Sequence, residues 1–384
     1  MKIVDILERT VPISRYADRS LQPDVLDTSI VVVKTDVRID GEPLVGYGFS
    51  SIGRFGQGGL IRDRFAPRLR AGAADIADPQ TGLLDPFRAW SVMMAGEKPG
   101  GHGERSVAVG TLDMALWDAC AKADGLPLYA CLQRRLGLPV RRDPVPVYAG
   151  GGYYFPDDDI GRLRAEMQQF RGLGYTHAKI KVGARDLQED VARIEAAADC
   201  LGGADRLAID AIYAYDAESA PAAAAAYAPF GLWWFEDVCD PLDFETLSRL
   251  PARYAPPIAA GEALFSGADA RNLFRYGGLR PGHDVLVFDV AHAYGIVEYL
   301  RILEIAETFG WPPTAFQPHG GHLFTLHVAA ALGLGGAEVN PHNFQPFGGL
   351  TDIMDVHDGT ALPPDLPGIG FEGRAALIDL FRAL

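Results

Sequence analysis

Three acidic residues recur at even intervals along the middle of the chain, each at the end of a short apolar run. Asp210, Glu236 and Glu262 follow one another at intervals of 26 residues. Carboxylates brought close together repel one another unless a cation joins them. Oxygen ligands that leave positions open for a substrate favour a hard divalent ion such as Mg²⁺. The alternative for each residue alone is a helix N-cap or a surface charge, which the regular spacing disfavours.

Two lysines could supply a base. Lys179 and Lys181 alternate with apolar residues in the segment AKIKV, 178–182. Because side chains alternate across a strand, both lysines point to one side, which we expect to be the axis of a barrel. Two neighbouring ammonium groups lower each other's pKa, and a lysine must lose its proton to act as a base near neutral pH. An exposed strand of an antiparallel sheet would show the same alternation.

A histidine and an aspartate form a second candidate acid–base pair. His319 lies in the segment FQPHGG, and Asp289 lies in VFDV on the preceding strand candidate. The carboxylate can orient the imidazole, so we expect a general acid or base here. His322 lies close enough to be the working residue instead. Glu338 is a weaker candidate: if protonated it would hydrogen-bond a substrate carboxylate, and it is equally typical of a helix start.

The spacing of these residues matches a repeated strand–helix unit. The strand candidates are VPVYAG, HAKIKVG, RLAIDA, LWWFEDV, PPIAAGEAL, DVLVFDVA and PPTAFQPHGG, and an eighth fits near 335–339. Eight units predict an α/β fold, a closed parallel (β/α)₈ (TIM) barrel over 141–350, with its active site at the carboxyl ends of the strands. The competing Rossmann fold, and a redox enzyme with it, usually carries a G-x-G-x-x-G sequence directly after a strand, and none of the strand candidates here is followed by one.

The first part of the chain, 1–140, predicts a separate α+β domain. Apolar runs at 3–13, 30–37 and 44–49, the last two separated by an Asp-Gly hairpin signal, predict a three-stranded meander. Helical spacing follows, and the run 107–124 ends at Gly125 and Pro127. The last segment, 351–384, is too long for a loop, and we expect it to return to the first domain.

Charge and composition exclude several functions. The chain has 35 Lys and Arg against 50 Asp and Glu, a formal net charge of −15, which repels nucleic acid and anionic lipid. The four cysteines form no C-x-x-C pair and are expected as isolated thiols. An acidic start and the absence of a long apolar stretch predict a soluble cytoplasmic protein without a membrane partner. We also expect a homo-oligomer, of a size that the sequence leaves open.

The order Lys-x-Lys, Asp, Glu, Glu, Asp, His resembles the mandelate racemase group of the enolase superfamily, and the resemblance covers nearly the whole chain. Within that group, long segments are similar to the D-tartrate dehydratases. These are GYGFSSIGRFGQGGL (46–60), EKPGGHGERSVAVG (97–110), AGGGYYFP (149–156), FQPHGGH (316–322) and DLPGIGFEG (365–373). The meander and its helices are similar to the capping domain of the family, which supplies specificity loops over the barrel mouth.

The resemblance implies a hydro-lyase, a carbon–oxygen lyase that dehydrates a D-tartrate-like diacid or a sugar acid. Mg²⁺ on the three spaced carboxylates would hold the substrate carboxylate. Lys181 would remove the α-proton to give an enediolate, which the metal and Lys179 stabilise. His319, oriented by Asp289, would protonate the departing β-hydroxyl, and the enol product would become a 2-keto acid. Lys98 and the 46–60 loop would contact the distal end of the substrate.

Two residues depart from the pattern of the group. Ile212 stands where the family has the asparagine of Asp-Ala-Asn, so polar support near the metal is missing. Ile52 stands where the D-tartrate dehydratases carry an asparagine, and an isoleucine cannot hydrogen-bond a hydroxyl or a carboxylate. We therefore expect the chemistry to be kept and the substrate to be less polar than tartrate at that point.

Two other functions stay open at this stage. The first is racemisation or epimerisation of an α-hydroxy acid, in which Lys181 and His319 exchange protons on opposite faces without loss of hydroxide. The second is a metal-binding barrel without activity, which Ile212 favours. Retention of both acid–base groups favours catalysis, because binding alone needs no such pair.

Overall fold

The computed structural model describes residues 1–17 and 26–384. The chain begins with an antiparallel sheet in the order β1-β2-β3. The strands are β1 (Ile3–Ile13), β2 (Leu26–Ile39) and β3 (Glu42–Phe49). The predicted meander is present, and β2 begins before the predicted residue 30 because its pairing with β1 continues to Ile13 and Leu26.

Helices then cover this sheet. They are α1 (Gly58–Leu60), α2 (Ala66–Ala71), α3 (Pro86–Met94), α4 (Glu104–Ala123) and α5 (Leu128–Arg135), with a π-helical turn at Ile61–Phe65 between the first two. Helix α4 is buried from Ser106 to Lys122. A helix that is buried all round lies between two layers rather than on a surface, and α4 lies between the sheet and the rest of the chain.

The second part is a parallel barrel. Its strands are β4 (Val145–Gly150), β5 (Ala178–Lys181), β6 (Leu207–Asp210), β7 (Trp234–Glu236), β8 (Ile258–Ala260), β9 (Val285–Leu286) and β10 (Ala337–Val339). Each pairs in parallel with the next from β4 to β9, and β10 pairs with β4. The predicted fold class, an α+β domain followed by a (β/α)₈-type barrel, is confirmed.

The predicted seventh strand is reduced to a single parallel bridge between Leu286 and Phe316. The ring nevertheless continues, because Gln317 N donates to Leu286 O at 2.8 Å and Gly335 N donates to Phe316 O at 3.0 Å. Prolines explain the shortening: Pro313 and Pro318 have no N–H to give to a ladder. The seventh position of the barrel is therefore held by separate backbone hydrogen bonds to both neighbours rather than by a regular strand.

Helices alternate with the barrel strands. They are α6 (Asp159–Gly172), α7 (Leu187–Leu201), α8 (Ala220–Tyr227), α9 (Phe244–Arg249), α10 (Gly267–Tyr276), α11 (Ile296–Thr308) and α12 (Leu323–Leu332), with 3₁₀ turns at Ala204–Arg206, Ala228–Phe230, Leu250–Ala252 and Pro313–Ala315. None of the helices in the described ranges is both long enough and apolar enough to cross a membrane.

The end of the chain contacts both parts. Strand β11 (Thr360–Ala361) pairs with β4, and a 3₁₀ turn at Phe371–Gly373 precedes α13 (Ala375–Arg382). The Phe381 ring stacks on Tyr47 of β3 with 4.8 Å between ring centroids. The Arg9 guanidinium of β1 donates to Leu380 O at 3.3 Å. The boundaries predicted at 140 and 350 stay predictions.

The first domain and the barrel meet at close range on α4. A Cβ added to Gly46 of β3 would lie 2.0 Å from Ala115 O, so β3 can lie on α4 only without a side chain there. On another side of α4, a Cβ at Gly110 would lie 1.8 Å from Ala291 O. Residue 291 belongs to the loop between β9 and α11. Two glycines thus allow α4 to contact the sheet and a barrel loop at once.

We predict that Gly110→Ala destabilises the protein. Alanine is the better helix former by about 1 kcal/mol, so propensity alone would stabilise α4. The clash with Ala291 reverses the sign, and overpacking of this kind costs about 1–3 kcal/mol of unfolding free energy. Gly59→Ala is the matched control, because a Cβ at Gly59 meets nothing within 4 Å. Chemical denaturation of both variants measures the difference, and equal midpoints would show that α4 can move away from the loop.

Candidate active site at the carboxyl ends of the barrel strands

Three buried carboxylates lie together where two neighbouring strands end. Asp210 is the last residue of β6 and Glu236 the last residue of β7. Asp237 follows directly, and one carboxylate oxygen from each of the three lies within 4.8 Å of the others. Sequence reasoning missed Asp237, although the acidic pair Glu-Asp after an apolar run was visible.

The electrostatics of this acidic cluster fit a hard divalent cation. Burial raises the pKa of Asp237 well above its usual range, and the neighbouring Glu262 and Glu236 carboxylates raise it further. Burial also raises the pKa of Glu236 to about 7 despite the Lys179 ammonium. Asp237 Oδ2 is buried and has no hydrogen-bond partner within the described ranges. Crowded oxygen donors of this kind bind Mg²⁺ in proteins.

Glu262 lies just beyond the end of β8, between the acidic cluster and a histidine pair. Its carboxylate is close enough to raise the pKa of Asp237. Its Oε2 atom is 3.6 Å from His319 Nε2. One atom each of Glu262, His292 and His319 lies within 4.8 Å of the others. The role of Glu262 as the third metal ligand therefore stays a prediction. Its carboxylate also lies where it could share a metal ion with the two histidines.

Both lysines of β5 are buried and face carboxylates. Lys179 Nζ is 2.5 Å from Glu236 Oε1 and 3.4 Å from Glu338 Oε1. Lys181 Nζ donates to Asp210 Oδ2. The side chains therefore point into the barrel as predicted, rather than into solvent.

Lys179 does lower the pKa of Lys181, as expected, but the net shift in the pKa of both lysines is upward, which the sequence did not predict. Burial lowers the pKa of Lys181, but Asp210, Tyr153 and Glu338 together raise it above its usual range. Burial likewise lowers the pKa of Lys179, and Glu236 and Glu338 together raise it well above its usual range. Each ammonium is nearer to a carboxylate than to the other ammonium, so attraction exceeds repulsion. In this state both lysines are protonated.

The predicted histidine–aspartate pair is present. His319 Nδ1 and Asp289 Oδ2 are 2.9 Å apart, and both residues are buried. Burial lowers the pKa of His319, but Glu262 and the hydrogen bond to Asp289 raise it to about 9. The imidazole therefore carries a proton at neutral pH, which a general acid requires. His319 Nε2 points to the metal-binding side of the barrel, toward Glu262.

His322 occupies a different position in the same cluster. Its Nε2 atom lies 3.0 Å from Ser51 Oγ, and burial lowers its pKa to about 4. Ser51 Oγ donates to Asp289 Oδ2 at 2.7 Å, so the His322 Nε2–H is the donor to Ser51. The geometry favours His319 over His322 as the acid–base group. Sequence reasoning missed Ser51, which comes from the loop after β3 and has a positive φ of 58°.

Glu338 lies on β10 and not at a helix start, so that alternative is wrong. It is buried, and it accepts a hydrogen bond from Gly320 N at 3.3 Å. Burial raises the pKa of Glu338, but Lys179 and His319 lower it below its usual range. The condition that it be protonated is therefore not met, because its neighbours are cations.

The remaining predicted residues differ in their access to the site. Lys98 is exposed on the loop between α3 and α4, and among the described residues no contact joins its side chain to the cluster. Ile52 is buried in the main apolar core, and a Cβ on the next residue, Gly53, would lie 3.4 Å from Glu262 Oε1. Ile212 is half exposed at the end of β6 with a positive φ of 46°. A β-branched residue rarely adopts that conformation.

Comparison with known proteins agrees with this geometry. The profile of the family described as enolase C-terminal domain-like matches residues 162–377, more than half of the chain. A 3,6-anhydro-alpha-L-galactonate cycloisomerase of Streptomyces coelicolor is 28% identical over 94% of this chain and 93% of its own length. An L-talarate/galactarate dehydratase of Salmonella typhimurium is 29% identical over 90% of this chain and 81% of its own.

Solved structures extend the similarity to the whole fold. A racemase from Streptomyces coelicolor with bound magnesium has a TM-score of 0.77 and 25% identity, covering 100% of this chain and 99% of its own. The L-talarate dehydratase from Polaromonas, solved with Mg and L-glucarate, has a TM-score of 0.70 and 27% identity, covering 95% and 94%. Together with the acidic cluster, these magnesium-bound neighbours confirm the predicted cofactor class. The chain belongs to the enolase superfamily.

Proposed function

We propose that the protein is a Mg²⁺-dependent dehydratase of a hydroxy acid, a sugar acid or a D-tartrate-like diacid. The observation that carries the proposal is one arrangement at the barrel mouth. A strand-end lysine, Lys181, and an oriented imidazolium, His319, lie around a cluster of buried carboxylates. The dehydratase relatives act on sugar acids such as galactarate, which supports that substrate class.

Asp210, Glu236 and Glu262 would hold the ion, with Asp237 beside them. When bound, Mg²⁺ would bind the substrate carboxylate and stabilise the negative charge that develops on it. Two of these carboxylates, Glu236 and Asp210, now pair with Lys179 and Lys181 of β5. Charge compensation from another cation would free Lys181 from Asp210, which the amine needs in order to accept a proton.

The chain's own residues then supply the proton transfers. Lys181 would take the proton from the carbon next to the carboxylate, so the C–H bond breaks and an enediolate forms. Lys179 would keep its proton and stabilise this anion by charge. His319 would give its Nε2 proton to the β-hydroxyl, so the C–O bond breaks and water leaves. The enol product then becomes a 2-keto acid.

Asp289 and Ser51 position the acid in this scheme. Asp289 Oδ2 accepts hydrogen bonds from both His319 Nδ1 and Ser51 Oγ, which fixes the imidazole with its Nε2 toward the site. Glu338, ionised between Lys179 and His319, would hold both cations in place rather than donate to the substrate. Its proposed contact with substrate is thereby limited to accepting a hydroxyl hydrogen bond.

Racemisation is the second candidate, because the same two groups could exchange protons on opposite faces of one carbon. A structural neighbour with bound magnesium is described as a racemase, which favours keeping this candidate. The two reactions differ in whether the β-hydroxyl is lost. Reaction in D₂O separates them, since racemisation gives inverted substrate that carries deuterium and dehydration gives a 2-keto acid.

We predict that a library of sugar acids and diacids contains a substrate that the protein converts to a 2-keto acid. Formation of the product should require Mg²⁺ and stop when a chelator removes it. Detection of the 2-keto acid by a carbonyl reagent measures the reaction. If no member is converted and the deuterium experiment shows no exchange, the metal-binding barrel without activity becomes the better description.

We predict that Lys181→Ala lowers turnover about 100- to 10,000-fold, the usual contribution of a positioned base. Exchange of the α-proton with D₂O should be lost in parallel, while calorimetry should show Mg²⁺ bound no more weakly than in the wild type, because Lys181 no longer pairs with Asp210. Lys2→Ala, at an exposed position, is the control. A Lys181→Ala variant that keeps full turnover would remove this lysine from the mechanism.

We predict weak activity on D-tartrate that improves in Ile52→Asn. A polar group of the substrate facing an isoleucine is left unpaired, which costs about 1–3 kcal/mol. Ile52→Leu is the matched control, because it keeps an apolar side chain. Thermal unfolding of each variant checks that the buried position tolerates the change. Efficient turnover of D-tartrate by the wild type, not improved by the asparagine, would show that Ile52 serves the apolar core alone.

A further inference from the structure

His292 is a buried residue that has no role in the proposed reaction. Sequence reasoning did not single it out. It lies in the loop between β9 and α11, and its side chain is fully buried. Its backbone N–H donates to Asp289 Oδ1 at 3.0 Å, and so does that of Ala291 at 2.7 Å. The carboxylate that orients His319 with one oxygen therefore fixes the turn carrying His292 with the other.

The imidazole of His292 has no hydrogen-bond partner for either ring nitrogen among residues 1–17 and 26–384. Asp289 Oδ2 is 3.7 Å from His292 Nδ1, beyond hydrogen-bond range. A buried polar group without a partner destabilises a fold, so this imidazole calls for a ligand. The Phe265 ring stands nearly perpendicular to the imidazole, with 6.2 Å between the ring centroids.

Two other donors surround this imidazole. One ligand atom each of Glu262, His292 and His319 lies within 4.8 Å of the others. His319 Nδ1 is held by Asp289, which leaves Nε2 on the side of Glu262. A carboxylate behind a metal-bound histidine is the usual support of such a ligand, since it fixes the ring orientation and raises its basicity.

We propose that Glu262, His292 and His319 form a second metal site, one that binds a transition-metal ion such as Zn²⁺ or Co²⁺. Two imidazole nitrogens and one carboxylate oxygen are the donor set that these ions prefer, with one further position open. The neighbouring cluster of Asp210, Glu236 and Asp237 offers oxygen alone, which suits Mg²⁺. Donor type thus separates the two sites although they are adjacent.

Occupation of the second site has a consequence that rests on the proposed function. An ion on His319 Nε2 takes the atom that would carry the proton to the leaving hydroxyl. The same ion takes an oxygen of Glu262 away from the Mg²⁺ site. Zn²⁺ or Co²⁺ therefore inhibits the Mg²⁺-loaded enzyme, and removal of the ion by a chelator followed by Mg²⁺ restores activity.

Cobalt binding to the full-length protein in excess Mg²⁺ tests the site without any substrate. Four-coordinate Co²⁺ with nitrogen ligands absorbs visible light far more strongly than six-coordinate Co²⁺ among oxygen ligands. We expect the wild type to bind Co²⁺ with the strong absorption, and His292→Leu to lose that absorption. The exposed His283 provides the matched control, and His283→Leu keeps the absorption.

Two further measurements keep the result decisive. Anomalous diffraction from a cobalt-soaked crystal of the wild type locates the ion directly, even where His292→Leu fails to fold. An ion bound by His292 and His319 together with Glu262 supports the proposal, and an ion bound only by carboxylates, whether Asp210, Glu236 and Glu262 or Asp210, Glu236 and Asp237, overturns it. Equal absorption of wild type and His292→Leu overturns it as well. Because none of these readouts depends on turnover, failure of the proposed dehydration leaves the metal site tested separately.

Discussion

Compensation of buried negative charge is the constraint on which the rest of this structure depends. Asp210, Glu236 and Glu338 all lie inside the barrel, where a lone carboxylate would be costly. The two lysines of β5 pair with them directly. Removal of one partner from such a buried set costs more than the set contributes, because an uncompensated charge is left behind. The charged groups of the barrel therefore depend on one another. A bound metal ion can take the place of a lysine beside a carboxylate, because the negative charge then stays compensated.

Much of this site could be predicted from sequence because a barrel converts regular spacing into proximity. Asp210 and Glu236 end successive strands, and the parallel register places them side by side. What spacing does not give is the partner of each charge. Glu236 contacts Lys179 from 57 residues away and, together with Glu338, raises the pKa of that lysine. The lysine pair looked like two repelling ammonium groups as long as only its own strand was considered.

The residues that sequence reasoning missed lie in turns rather than on strands. Asp237 has a positive φ of 45°, so its side chain turns back to the side of Glu236 instead of alternating away from it. Ser51, also at positive φ, reaches Asp289 across 238 residues of sequence. The predicted seventh strand is shortened for a similar local reason, because its prolines lack the backbone N–H groups that pair with a neighbouring strand. Strand periodicity says nothing about such positions, and only the three-dimensional contacts reveal them.

The contact of Ser51 with Asp289 also limits how this protein can be recombined. Its hydroxyl comes from the first domain, and the carboxylate that receives it belongs to the barrel. Helix α4 meets the adjoining loop without room for a methyl group at Gly110. If this barrel were joined to the first domain of a distant relative, another residue could replace the Ser51 donor. A different helix surface would also pack against the loop that holds Asp289. The two domains therefore depend on each other at this boundary, and we expect exchange of a whole domain to disturb the position of Asp289.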